Sequence, residues 1–444
     1  MRAPRRSLRF VLFGIVTLGA AFVSGQTPSD LARVREVRQK ALECHGRKEW
    51  PCFLERAREA QAMDPSSTSL LYILACAEAR NGDAAGAARH LNELLDRKVS
   101  WQRGDDLVDI RETPEMAPVL AKLAALKAPV SKSTVAFRLE QKDLIPEGIA
   151  FDPKSRAFFF GSVHHRKVIR RAADGTVTDF VPEARDGLGA VLALRVDNRR
   201  GLLWACGAPL PEMRGYKEEL PGSTALWAFD LASGRRVLYL PLEAAGKHAL
   251  NDIGIAPNGD VWTTDSLAGG IYRLKAGPGV SVEKAGPLQE VVAPGILRSP
   301  QGIAFSADGK LAFVSDWGEG IFLLDPATAR LERMAGPADV PLAGVDALVA
   351  NGKDLFVTQN GIYPARVAKL TLDASGRRIL RGEILEMSSP QMGDPTLGVV
   401  GDGGDFYFIA NGQWDAFDAE KKQFPAEKLT DTVILKVSAG KKSS

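Results

Sequence analysis

The chain has 444 residues, with 57 Lys and Arg against 54 Asp and Glu, a net charge of +3, 45% hydrophobic and 25% charged residues. These values exclude a wholly disordered chain, a collagen and a multi-span membrane protein, and so small a charge argues against a concentrated basic face for nucleic acid. The length predicts two or three domains, and four Cys argue against both a disulfide-dense mini-scaffold and an all-Cys metal cage.

Residues 1–25 read as a secretory signal peptide. Arg2, Arg5, Arg6 and Arg9 come before any acid, residues 10–23 (FVLFGIVTLGAAFV) are apolar, and Ser24 and Gly25 close the run. The run is shorter than the roughly 20 residues a membrane span needs, although an uncleaved anchor is the alternative. The expected location is periplasmic or extracellular, with no membrane span once the signal is removed. Losing four Arg turns the net charge of +3 into −1, which weakens any nucleic-acid or anionic-membrane reading further. Export makes disulfides possible. Cys44 and Cys52 lie across a predicted helix corner, where both a bonded and a free pair are open readings; Cys76 and Cys206 read as small buried hydrophobes.

Residues 26–128 are rich in Ala, Leu, Glu, Lys and Arg, with apolar residues three and four apart. That spacing predicts helices at about 30–46, 51–63, 68–81, 84–97 and 114–127. A 34-residue shift superposes Ala41 on Ala75, Phe53 on Ala87, Ala57 on Leu91 and Ala60 on Leu94. Those are small and apolar positions of the kind where paired helices cross. The segment therefore resembles two tetratricopeptide repeats with a trailing helix, a plain helical bundle being the alternative. The resemblance implies a protein partner on the repeat face. Fewer than three repeats stack poorly alone, so this block is expected to lean on its neighbour.

A linker is expected at 129–134 and a disordered tail at 439–444. Between them, 135–438 changes texture: Gly, Pro, Asn and Asp punctuate short runs of Val, Ile, Leu, Phe and Tyr. One pattern recurs, an apolar strand, a tight Asp/Asn/Gly turn and a second apolar strand. Its copies begin at Glu147, Leu192, Asn251, Gln301, Asp346 and Thr396, between 45 and 59 residues apart. Six such units predict an all-β six-bladed propeller. DTVILKV near the C-terminus would complete the last blade, and STVAFRLE from Ser133 is a candidate closing strand.

The residue before the apolar core of each innermost strand is aimed at the axis. Two carboxylates, Glu147 and Asp346, and two carboxamides, Asn251 and Gln301, therefore face one channel, a donor set suited to a hard divalent cation. The other reading is that they cap strand ends and line a wet channel.

The segments PEGIAFD, NDIGIAPNGDVWTTDS, SPQGIAFSADGKLAFVSD and GVDAL resemble those of the gluconolactonase, senescence-marker-protein and luciferin-regenerating-enzyme (regucalcin-like) family over about residues 140–438. The resemblance implies a divalent cation, Ca²⁺ first with Mn²⁺ or Zn²⁺ as alternatives, held by Glu147, Asn251 and Asp346. Asp346 would also serve as general base. Gln301 stands where the family has Asn, and its extra methylene shifts the oxygen. The implied activity is cation-assisted hydrolysis of a lactone or ester. His248, His164, Asp394 and Trp317 are candidate substrate contacts at the mouth, although for both histidines a satisfied loop residue is the commoner role. Asp252 is a further rim candidate. Asp265 and Asp316 read as turn-binding residues, and Trp414 as a core or edge residue with the pocket mouth as its alternative. The competing function is a non-catalytic binding module. No G-x-S-x-G elbow or nucleotide fingerprint occurs.

Overall fold

A computed structural model of the protein describes residues 25–102, 104–217, 224–278 and 280–438. The signal-peptide reading, apart from Gly25, and the tail at 439–444 lie outside the described residues. No described helix is long and apolar enough to cross a membrane.

Five α-helices come first: α1 (Pro28–Gly46), α2 (Trp50–Met63), α3 (Thr68–Arg80), α4 (Ala84–Asp96) and α5 (Met116–Ala125). Thr27 caps α1 in a reciprocal capping box with Asp30, and Ser67 and Asp83 cap α3 and α4, so each of these starts is written locally. The crossing positions picked out by the 34-residue shift are buried: Ala41, Ala60, Ala75, Ala87 and Leu91 are 0% exposed. Small side chains there let paired helices approach closely. A disulfide joins Cys44 to Cys52 at the corner between α1 and α2, while Cys76 and Cys206 are free and buried.

Six antiparallel sheets follow, one per blade, confirming the six-bladed propeller. Their innermost strands are Pro146–Asp152, Ala190–Asp197, Leu250–Ile255, Pro300–Phe305, Val345–Asn351 and Gly398–Val400. Both candidate strands complete blade six. Thr432–Val437 lies third, and Ser133–Leu139 pairs with it at the outer edge. The ends of the sheet array are thereby tied together, which removes most exposed edges.

The stretch read as a linker needs correction. Val130–Ser131 adds a fifth strand to blade five, Val130 opposite Met387 and Ser131 opposite Glu386, and Ser133 already belongs to blade six. The backbone between helices and propeller finds its hydrogen bonds in the sheet instead of in water.

The helical layer docks on blades four and five. Arg333 of blade four makes a bidentate, buried ion pair with Asp64 after α2, both contacts 2.7 Å, and Arg35 of α1 reaches Glu319 at 2.9 Å. Ser100 N–H donates to Tyr363 O at 2.6 Å, and the Arg366 guanidinium donates to Lys98 O. Leu71, Leu94 and Val99 pack on Ile362. Leu31 of α1 joins the core between blades three and four.

Candidate active site at the propeller axis

A repeated backbone irregularity aims one side chain per blade at the axis. Pairing of the inner strand shifts register between Pro146 and Ile149, Val191 and Ala193, Leu250 and Ile253, Pro300 and Ile303, and Val345 and Leu348. A bulge bends its strand and redirects the side chains within it. Glu147, Leu192, Asn251, Gln301 and Asp346 all fall inside these shifts. Glycine follows two of them for a steric reason. A Cβ on Gly148 would lie 3.0 Å from Ala193 Cα, and one on Gly302 would lie 2.6 Å from Leu348 N. The inner strands of adjacent blades approach there more closely than a side chain allows. In blade six, Thr396 Oγ1 donates to Glu147 O at 3.4 Å.

The five bulge residues line a cavity of about 370 Å³ together with Ser266, Trp317, Asn360, Asp394, Trp414, Leu210 and Ala249. Glu147 and Asp346 are each only 6% exposed. Among its described lining residues the cavity has three carboxylates and no Lys, Arg or His. The two buried carboxylates are held from one side each. Trp414 Nε1 donates to Glu147 Oε2 at 2.6 Å, and Asn360 Nδ2 donates to Asp346 Oδ2 at 2.7 Å. Asn360 is itself fixed, accepting from Trp317 Nε1 at 2.9 Å. Among the described residues, no side chain donates a hydrogen bond to Glu147 Oε1 or Asp346 Oδ1.

Electrostatics follow from this enclosure. Burial, then the Asp346 charge, raises Glu147 well above the ordinary carboxylate range, against the Trp414 hydrogen bond. Burial and the neighbouring Asp394 push Asp346 up to about 7, against the Asn360 hydrogen bond. Burial and Asp415 push Asp394 up to about 6. Each carboxylate resists ionisation first because it is buried and then because another carboxylate is close.

The donor set fits a hard cation. Two buried carboxylates and the carboxamide oxygen of Asn251 are ligands of the kind Ca²⁺ takes, with water completing the shell. No thiol or imidazole is among the described lining residues, so nothing there selects a softer metal. Glu147, Asp346 and Asp394 do not form a three-carboxylate cluster among the described residues, and Asp394 is the most exposed of the three.

Gln301 lines the cavity as its position suggested, and it also contacts a neighbouring candidate ligand. Its Oε1 accepts from Asn251 Nδ2 at 2.5 Å and its Nε2 donates to Ser299 Oγ at 2.9 Å. Both ends of the carboxamide are committed, so the longer side chain buttresses Asn251 and orients that residue's oxygen.

The two histidines also need correction, since neither is among the described lining residues. His248 has both ring nitrogens committed, Nδ1 to Asp265 at the end of the second strand of its blade at 2.5 Å and Nε2 to Ala245 O of its own loop at 2.9 Å. His164 Nδ1 meets Glu212 O at 2.8 Å and its ring packs edge-on against Phe424. Asp394 and Trp317 do line the cavity. Asp265 accepts from the backbone of Ala249, Leu267 and Ala268, and Asp316 from Arg298, Ser299, Gly318 and Glu319, as turn-binding residues do. Asp252 lies deeper, accepting from Ile303 N–H at 2.9 Å and Arg195 at 3.4 Å, and ties blades two, three and four together.

Trp414 fills both roles read for it: its ring packs against the core beside Leu192 and Ala249, and its indole N–H donates to Glu147 in the pocket. Asn360 went unnoticed, although a signal was available. It follows the second strand of its blade, as Ser266 and Trp317 follow theirs, and all three reach the cavity.

No family model and no curated protein matches the chain. Among solved structures, it is similar to a gluconolactonase from Xanthomonas campestris, with 19% identity over 71% of this chain and 92% of that one and a TM-score of 0.47. It is similar to the calcium-binding protein regucalcin from Agrobacterium tumefaciens, with 17% identity, 68% and 95% coverage and a TM-score of 0.45. A luciferin-regenerating enzyme is similar at 14% identity, 71% and 96% coverage and a TM-score of 0.45. These neighbours are of the same kind that the blade-start motifs resemble.

Proposed function

We propose that the protein is an exported, cation-dependent hydrolase of a lactone or ester, working in the axial cavity. One observation carries the reading. Glu147 and Asp346, both buried, share a cavity of about 370 Å³ whose described lining residues include no basic side chain. Carboxylates so placed need a proton or a cation to be stable. Glu147, Asp346 and Asn251 would hold the cation, Ca²⁺ first and Mn²⁺ or Zn²⁺ as alternatives, while Gln301 keeps Asn251 in place. A bound divalent cation polarises a carbonyl oxygen and offsets the negative charge that develops there.

The chain's own residues supply the rest. The cavity is of small-molecule size, and Leu192, Leu210, Trp317 and Trp414 give it apolar wall against which a ring can lie. Asn360 occupies Asp346 Oδ2 and leaves Oδ1 to receive a proton. As a water oxygen bonds to the carbonyl carbon, its proton passes to Asp346 Oδ1. When the ester C–O bond breaks, that proton goes to the departing alkoxide oxygen, leaving a hydroxyl and a carboxylic acid. Export is supported by the basic, apolar start of the chain and by the Cys44–Cys52 disulfide.

The test is a panel of γ-lactones, δ-lactones and aryl esters offered to chelator-treated protein, with and without Ca²⁺, Mn²⁺ or Zn²⁺. Turnover of at least one class only with a cation, and its loss on adding EDTA, is expected. Turnover indifferent to chelation would sink the cation-dependent reading. Cation binding without turnover of any lactone or ester would favour a binding module.

A further inference from the structure

A second cavity lies away from the axis, in the cleft where the helical layer meets the propeller. It measures about 90 Å³ and is walled by Arg35 and Arg38 of α1, Arg298 and Glu319 from the loops of blade four, and the Asp64–Arg333 pair. Four arginines and two carboxylates give this wall an excess of positive charge.

The pairing is uneven. Arg333 is spent on Asp64 by two contacts of 2.7 Å, and Arg35 is spent on Glu319 at 2.9 Å. That uses both carboxylates. Arg38 and Arg298 have no carboxylate partner and no side-chain hydrogen bond among the described residues, and Arg38 Nε is fully buried without an acceptor. Burial, then the charge of Arg298, lowers the Arg38 pKa, against an opposing pull from Glu319. The half-buried Arg38 and the exposed Arg298, from different domains, therefore line one small space, and the charge of Arg298 opposes that of Arg38. Gly318 leaves room for this arrangement, since a Cβ there would come within 3.2 Å of the Arg298 stem.

A buried donor without an acceptor is destabilising, and like charges held together add to that. Both costs vanish if an anion with two or more acceptor oxygens enters the cleft. Guanidinium forks suit such groups better than any other side chain. We propose that the cleft between α1 and blade four is a binding site for a small oxyanion, a phosphate or carboxylate group, bridging Arg38 and Arg298. The cleft is separate from the axial cavity and does not depend on its chemistry. Its ligand would fasten the helical layer to the loop that carries Arg298, where Ser299 O accepts from Trp317 N–H at 3.0 Å.

The experiment is a calorimetric titration of the full chain with inorganic phosphate and, separately, with acetate, against chloride at constant ionic strength. Wild type, Arg38→Gln, Arg298→Gln and the exposed control Arg58→Gln are compared. Saturable binding of one or both anions is expected for wild type and the control. Each cleft variant should bind about tenfold more weakly or worse, given the worth of a charged hydrogen bond. Preference for phosphate or acetate identifies which source of oxygens the site takes. Neither cleft variant should lose thermal stability in chloride, because each removes a repulsive partner, so weakened binding cannot be put down to unfolding. Equal binding by wild type and both cleft variants, or no binding of either anion to wild type, overturns the proposal.

Discussion

Asp346→Asn is expected to lower kcat/KM for the hydrolysed lactone or ester by about a thousandfold, the middle of the range for loss of a general base. The same change should make the metal-free protein more stable. Asparagine keeps the shape of the side chain and can still accept from Asn360 Nδ2, but it removes one of two buried charges that repel each other. Function and stability thus move in opposite directions, and a fall in activity cannot be assigned to misfolding. Steady-state kinetics with cation present, together with thermal melts in chelator, read both effects. Unchanged kinetics would remove Asp346 from the chemistry. A metal-free variant that melts lower than wild type would contradict the repulsion between Glu147 and Asp346.

The second large effect is on pH. Asp346 sits near 7 in the fold and near 3.8 as an ordinary carboxylate, and Asp394 sits near 6. Between those values the folded chain holds protons that the unfolded chain has released. Raised carboxylates therefore contribute their full stability below about pH 4, and that contribution is lost as pH rises through about 7. At 1.36 kcal/mol per unit, the part due to Asp346 is on the order of 4 kcal/mol. Other carboxylates, such as Asp64 beside Arg333, are lowered and act in the opposite direction at acid pH. The observable is therefore the difference between wild type and Asp346→Asn. Metal-free wild type should lose stability relative to the variant from pH 4 to pH 8. Saturating Ca²⁺ should restore wild type at pH 8, by about 2.7 kcal/mol at a hundredfold excess over its Kd, and do little at pH 5, where protons already occupy the site. A pH-independent difference in denaturant melts would contradict the assigned cause.

The sequence register located the axial residues because the device that aims them is periodic. The same bulge recurs in five blades, so Glu147, Asn251 and Asp346 could be found by aligning one blade with the next. What failed was whatever depended on loops or on contacts between distant segments. His248 sits three residues from Asn251, yet its loop turns the ring back onto Asp265 and Ala245. Trp414 reaches Glu147 across 267 residues of chain, which no local pattern records. Gln301 looked like an imperfect ligand because its length was judged against the metal, whereas its partner is Asn251. In the helical layer the small crossing residues were legible from spacing. The Asp64–Arg333 anchor, 269 residues apart, was not. The linker reading failed for a related reason: Val130 and Ser131 look like spacer until the blade-five edge strand is beside them.

The most direct measurement is a calorimetric titration of Ca²⁺ into metal-free wild type and Glu147→Gln at pH 8. Glu147 is buried beside Asp346, and the variant keeps its size while removing its charge. Saturation of a single site per chain is expected for wild type, with affinity in the variant weaker by about tenfold or more, a change of at least 1.4 kcal/mol. Equal affinity in the two proteins, or no saturable binding to wild type, would contradict a cation held at the propeller axis.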